Sequence, residues 1–151
     1  MSLDIDFDQL DAGTRFEGAE RTVTADDVRA FADLTGDTHP LHTDPDWAAR
    51  SRFGEQVAHG LLAVSFAVGQ LGFDPDRVVA LRGLDDVVFK RPVPFGAVLS
   101  VEGVVEDTRE LDDQHGLVTL RLRLMADDRL AVSARVVAVW SREPSFVPVP
   151  L

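Results

Sequence analysis

Cysteine is absent from this chain, which excludes disulfide bonds, thiolate metal sites and cysteine nucleophiles. No run of 18 apolar residues occurs, so a membrane-spanning helix is not expected. The stretch from Met1 to Asp8 has neither the basic start nor the apolar core of a secretory signal, and a cytoplasmic protein is expected. A glycine-rich phosphate loop is missing, which argues against a nucleotide-dependent reaction. No internal repeat or low-complexity tract interrupts the sequence.

Positive charge is also scarce. Lys90 is the only lysine, and 15 Lys and Arg face 26 Asp and Glu, for a formal net charge of -11. Such a chain should repel nucleic-acid phosphates and anionic membranes. The acid is mostly aspartate and is dispersed rather than blocked. A surface of this kind suits high salt, where dense carboxylates hold hydration and screening relieves their repulsion. The plainer reading is an ordinary acidic protein.

What is present fits one domain with a real core, since the chain has 151 residues and is 45% hydrophobic. Residues 1–13 read as an acidic N-terminal segment, and 14–151 as a single domain. A first strand is expected over residues 15–23, anchored by Phe16 and Val23. Thr24-Ala25-Asp26-Asp27 resembles a capping box and opens a helix over residues 25–34. Val28, Phe31, Ala32 and Leu34 form its apolar face, and Gly36 is placed to end it. Asp44 and Pro45 read as N-cap and first position of a short helix through Trp47, Ala48 and Ala49, followed by a loop over 50–56. Residues 60–71 are apolar on almost every side, so this helix is expected to be buried.

The second half changes character. Strands are expected over 78–84, 87–89, 97–107, 116–125 and 130–140, with turns at 112–116 and 126–128. Pro92, Pro94 and Gly96 mark a bend. Val118, Leu120, Leu122 and Leu124 alternate with Thr119, Arg121 and Arg123, giving one buried face and one wet face. Helices followed by antiparallel strands make an α+β domain whose sheet wraps a central helix.

The chemistry is concentrated in Gly36-Asp37-Thr38-His39-Pro40-Leu41-His42. A carboxylate and an imidazole stand five residues apart between two helices. Asp37 can act as a base and His42 as an orienter or acid. Downstream, Ala58-His59-Gly60-Leu61-Leu62 reads as the turn into the apolar helix. The first N–H groups of a helix lack intrahelical partners and carry partial positive charge, so the Gly60 N–H is the best candidate to meet an oxyanion. Glycine also permits close approach of a ligand. His59 is read as holding the loop, Ser65 as bonding back to its own helix, and His115 as lying exposed in an acidic turn.

These blocks resemble the MaoC-like dehydratases, the R-specific enoyl-CoA hydratases, whose signature runs Gly-Asp-x-Asn-Pro-Leu-His. Ala58-His59-Gly60-Leu61 is similar to the family's second block, and Phe89-Lys90-Arg91-Pro92-Val93 with Gly96 to its later strand and bend. The likeness runs over about residues 20–140. It implies a hot dog fold, an antiparallel sheet around the 60–71 helix, and a homodimer with active sites near the subunit interface. It also implies hydration of trans-2-enoyl-CoA to (R)-3-hydroxyacyl-CoA, or the reverse dehydration. In that reaction Asp37 activates water, His42 orients it and shares the proton transfer, and the Gly60 N–H stabilises the thioester enolate. Coenzyme A enters as part of the substrate, with no separate cofactor and no metal. Lys90 and Arg91 are candidates to meet its phosphates, or are ordinary strand-edge charges. An acyl-CoA thioesterase and a non-catalytic acyl-CoA-binding subunit stay open as alternatives. His39 stands where the family usually has Asn. An imidazole can also donate and accept, so His39 is expected to brace the loop.

If the acidic surface is a salt adaptation, the melting temperature rises from low to molar KCl. A thermal scan that finds no rise excludes it.

Overall fold

Residues 5–144 are described in this computed structural model. In chain order the elements are β1 (Arg15–Glu17), β2 (Arg21–Thr22), α1 (Ala25–Thr35), α2 (Pro40–Thr43), α3 (Pro45–Ala49), α4 (Gly60–Gln70), β3 (Val78–Phe89), β4 (Val98–Glu110), β5 (His115–Ala126) and β6 (Arg129–Ser141). A short 3-10 turn, Phe7–Gln9, precedes them. No helix among the described residues is long and apolar enough to cross a membrane.

The alternating patterns of the second half become one antiparallel sheet. Its strand order is β1-β4-β5-β6-β3, with β2 also pairing β4. On β5, Val118, Leu120, Leu122 and Leu124 are buried and Arg121 and Arg123 are exposed, as the alternation predicts. The two strands expected at 78–84 and 87–89 are a single strand, β3. Its register shifts between Asp85 and Val88, where Asp86 adopts a φ of 50°. That bulge interrupts the sequence pattern without ending the pairing. The first strand behaves in the opposite way. Residues 15–23 divide into β1 and β2, and at the break the Gln70 side chain donates to the Ala19 carbonyl. Phe16 and Val23 are nevertheless fully buried anchors.

Helix α1 starts as its sequence predicts. Asp27 N donates to Thr24 Oγ1 at 3.1 Å, and Thr24 N donates to Asp27 Oδ2 at 2.9 Å. It ends at Gly36, whose φ of 79° is the left-handed conformation that glycine adopts without strain. Leu34 is not part of the apolar face. It is 85% exposed, because six residues beyond Val28 a helix has turned well away from the Val28–Ala32 stripe.

Helix α4 lies against the concave side of the sheet, with Leu62, Ala63, Val64 and Ala67 buried among core residues of β4 and β5. It is not buried all round. Leu61 is 63% exposed and Ser65 is exposed beside it. The sheet covers only one side of the helix, and apolar composition alone cannot supply cover for the other. Phe7 and Leu10 from the residues before β1 also enter the core, and Trp140 Nε1 donates to the Ile5 carbonyl at 2.8 Å.

Candidate active site

The site is built where α1, α2 and the start of α4 meet. The left-handed turn at Gly36 releases the chain from α1, and Asp37 follows in an exposed position. His39 then caps α2, its Nδ1 accepting from Leu41 N at 3.1 Å, with Pro40 at the first helical position. The expected bracing role of His39 thus takes the form of an N-cap. Its ring also meets Trp47 edge-on at 5.3 Å. Thr43 Oγ1 ties the turn closed by donating to Thr38 O and His39 O, at 3.0 and 3.2 Å.

Helix α2 carries His42 inward. His42 Nδ1 lies 2.6 Å from the Val57 carbonyl. A carbonyl only accepts, so Nδ1 carries the proton and Nε2 keeps its lone pair when the ring is neutral. Gln56 Nε2 donates to His42 O at 2.9 Å and holds the same turn from behind. His59, 2% exposed, donates from Nε2 to the backbone carbonyl of Asp37 at 2.8 Å. Its ring stacks on His42 with centroids 3.9 Å apart, and Phe31 covers it at 4.8 Å. His59 therefore holds the loop, as read from the sequence, and also sets the spacing between Asp37 and His42.

Burial pushes the His42 imidazole below the ordinary histidine range. The Val57 carbonyl opposes that shift, His59 adds to it and Asp37 opposes it. Asp37, His42 and His59 offer ligand atoms within 4.8 Å of one another. However, the two rings lie only 28° from parallel. Imidazole lone pairs lie in the ring plane, so rings stacked this way do not converge on one ion.

Asp37, His42, His59 and Gly60 share a cavity of about 700 Å³ with Lys90 and Arg91. Gly60 opens α4 with no capping side chain, and the first intrahelical bond is Ala63 N to His59 O at 3.1 Å. The N–H groups of the first turn are thus left for a ligand. Two lining residues, Arg52 and Phe53, lie in the stretch read simply as a loop. A third, Phe89, is the last residue of β3 and in the sequence stands out only as part of the Phe89–Val93 block. Charge alone does not single out Arg52, since among the described residues Arg50, Arg82, Arg109, Arg123 and Arg129 also stand outside the ion pairs. Arg15, Arg21, Arg135 and Arg142 each pair with a carboxylate. Among the described residues, no ion pair holds Arg52, Lys90 or Arg91, although carboxylates are in excess. Arg91 does donate to the Leu130 carbonyl at 2.8 Å. Outside the site, His115 pairs with Asp112 at 3.0 Å, and Ser65 Oγ donates to Leu61 O at 2.8 Å.

Residues 9–126 match the family model described as a MaoC like domain. An (R)-specific enoyl-CoA hydratase from Aeromonas caviae is 33% identical over 129 residues, covering 85% of this chain and 93% of that protein. A solved Archaeoglobus structure, described as a monoamine oxidase regulatory protein, superposes with a TM-score of 0.86 at 34% identity. It covers 93% of this chain and 96% of that one. A Mycobacterium tuberculosis protein described as a double hotdog fold gives a TM-score of 0.82 at 25% identity, over 96% of this chain and 46% of that one. The fold is a hot dog. The chain spans 60%, 29% and 65% of the length of three further curated relatives. One of these is a 3-hydroxybutyryl-CoA dehydratase from Methylorubrum extorquens, 31% identical over 64% of this chain.

The lowered His42 pKa keeps the ring neutral to more acidic pH, so its Nε2 lone pair is available at pH 7. An NMR titration of the ring signals should give a midpoint below the ordinary value of about 6.5. A midpoint at or above that value contradicts the environment described.

Proposed function

This chain belongs to the MaoC-like family, and we propose that it hydrates trans-2-enoyl-CoA to (R)-3-hydroxyacyl-CoA, or catalyses the reverse dehydration. The observation that carries the proposal is one cavity holding the Asp37 carboxylate, the free Nε2 of His42 and the uncapped start of α4. The activity printed for the Aeromonas relative supports the same reaction.

Adding water to a conjugated thioester requires a proton to leave water, oxygen to bond to C3 and a proton to reach C2. Asp37 and the neutral His42 both present acceptors, so one water can hydrogen-bond to each and turn its lone pair towards C3. Asp37 takes the proton as the C–O bond forms, and His42 orients the water and shares the proton transfer. The electron pair displaced from the C2–C3 double bond moves onto the thioester oxygen. The Gly60 N–H, at the positive end of α4, meets that charge. The proton held by the pair returns to C2 from the same side, giving syn addition and leaving both side chains as they began. The sequence needs no metal and no cofactor beyond the coenzyme A of the substrate. Lys90 and Arg91, joined by Arg52, supply positive charge at the cavity for the coenzyme A phosphates.

The working unit in this proposal is a homodimer. Strand β3 is the sheet edge, and Val79, Leu81, Leu84 and Val88 on it are exposed. A long apolar edge is a template for pairing with another chain, and a second copy covers it most simply. The exposed Leu61 of α4 is a further apolar surface left uncovered by the single chain.

Hydration of crotonyl-CoA, followed at the enone absorbance, tests the reaction. Asp37→Ala and His42→Ala should each lower kcat by about 100- to 10,000-fold, the usual worth of a general acid–base group. Rates equal to wild type in both variants sink the proposal, and thiol release without a hydroxyacyl product identifies a thioesterase. Light scattering on the eluting protein should give twice 16.5 kDa, whereas a monomer mass at micromolar concentration removes the dimer.

A further inference from the structure

Phe89 ends β3 at a point where the backbone is held on both sides. It pairs with Val132 of β6, and the next two amides, Lys90 N and Arg91 N, donate to Ala131 O at 2.7 and 3.2 Å. The residue is 52% exposed overall, and its ring lies against the first residue of α4. A Cβ built on Gly60 would stand 2.6 Å from Phe89 Cε1 and 2.9 Å from its Cδ1 and Cζ, closer than carbon atoms pack. The ring therefore fills the room that a side chain at position 60 would take. Both residues line the cavity that holds Asp37 and His42. A glycine retained only to admit substrate would leave that room open, whereas aromatic carbon occupies it.

We propose that Phe89 is a specificity-determining residue: its ring walls the cavity beside the thioester and excludes substituents on C2. The inference rests on the reading that the Gly60 N–H receives the thioester oxygen. C2 is bonded to the thioester carbon, so a group packed on Gly60 also flanks C2. The backbone pinning leaves rotation of the side chain as the ring's only freedom, and a planar ring cannot shorten to make room. An enoyl group with hydrogen on C2 passes beside it. A methyl branch there requires space the ring already fills. One methyl group misfitted in an apolar pocket changes kcat/KM by about 10- to 200-fold.

The test compares crotonyl-CoA with (E)-2-methylbut-2-enoyl-CoA in the wild type, Phe89→Leu and Phe89→Ala. The ratio of kcat/KM, branched over unbranched, should rise by about tenfold or more in Phe89→Ala and by less in Phe89→Leu. An unchanged ratio in variants that melt as the wild type does overturns the proposal. Calorimetric binding of butyryl-CoA and 2-methylbutyryl-CoA gives the same comparison without turnover. A wild type that cannot hydrate crotonyl-CoA but shows the binding shift on Phe89→Ala retires the hydratase reading and keeps the wall. Gly60→Ala adds an independent arm. It should lower the melting temperature with Phe89 in place and regain it in the Gly60→Ala, Phe89→Ala double variant. A single variant as stable as the wild type overturns the contact itself.

Discussion

The site depends on the three consecutive residues Val57, Ala58 and His59, which join segments far apart in the chain. The Val57 carbonyl accepts from His42 at 2.6 Å. Ala58 N donates to Val93 O at 2.8 Å, and His59 donates to the Asp37 carbonyl at 2.8 Å. One short run thus ties the turn carrying His42, the loop carrying Asp37 and the segment after β3 to the start of α4. All three side chains are buried, so these bonds are shielded from competing water and hold their geometry. The same bonds set the chemistry. The carbonyl at Val57 decides which His42 nitrogen carries the proton, and the ring of His59 decides where the imidazole can lie. In the proposed mechanism, groups held through buried partners need little reorganisation when substrate arrives.

The cavity of this acidic protein is bordered by three cations, Arg52, Lys90 and Arg91. With a net charge of -11, half of the arginines pair with neighbouring carboxylates among the described residues, as in the Arg135 contacts to Glu106 and Asp86. Among the described residues, Arg52, Lys90 and Arg91 at the cavity have no such partner. An anionic ligand approaching an acidic protein meets repulsion at long range and attraction near these groups. Salt screens the first more than the second, because long-range interactions between exposed charges weaken within a Debye length of about 10 Å at 0.1 M. An acidic surface and an anionic substrate are therefore compatible, more so as ionic strength rises.

Local signals were readable in the sequence where one neighbourhood decides the outcome. The Thr24–Asp27 capping box, the left-handed end at Gly36 and the alternation of β5 all involve residues a few positions apart. The errors fell where a distant segment intervened. The first strand divides where Gln70 from α4 meets Ala19. Pairing with β6 carries β3 through a bulge that the composition marks as a break. Leu61 and Leu34 look like core residues, yet no layer among the described residues covers them. Hydrophobicity states a preference for burial, and only the arrangement of the other elements can meet it.

The sequence by itself pointed to the fold class, most of its elements and two ionisable side chains, Asp37 and His42, five residues apart. Those follow from period, capping and residue type, which act over short stretches of chain. The tertiary structure alone decided the tautomer of His42, the stacking of His59 and the identity of the cavity walls. It brought Arg52 from a loop and Phe89 from an edge strand to the start of α4, and gave the room beside Gly60 to an aromatic ring. These outcomes arise from contacts between residues 15 to 30 positions apart or between strand and helix. No local pattern encodes them, because each depends on packing that exists only once the sheet has closed on the helix.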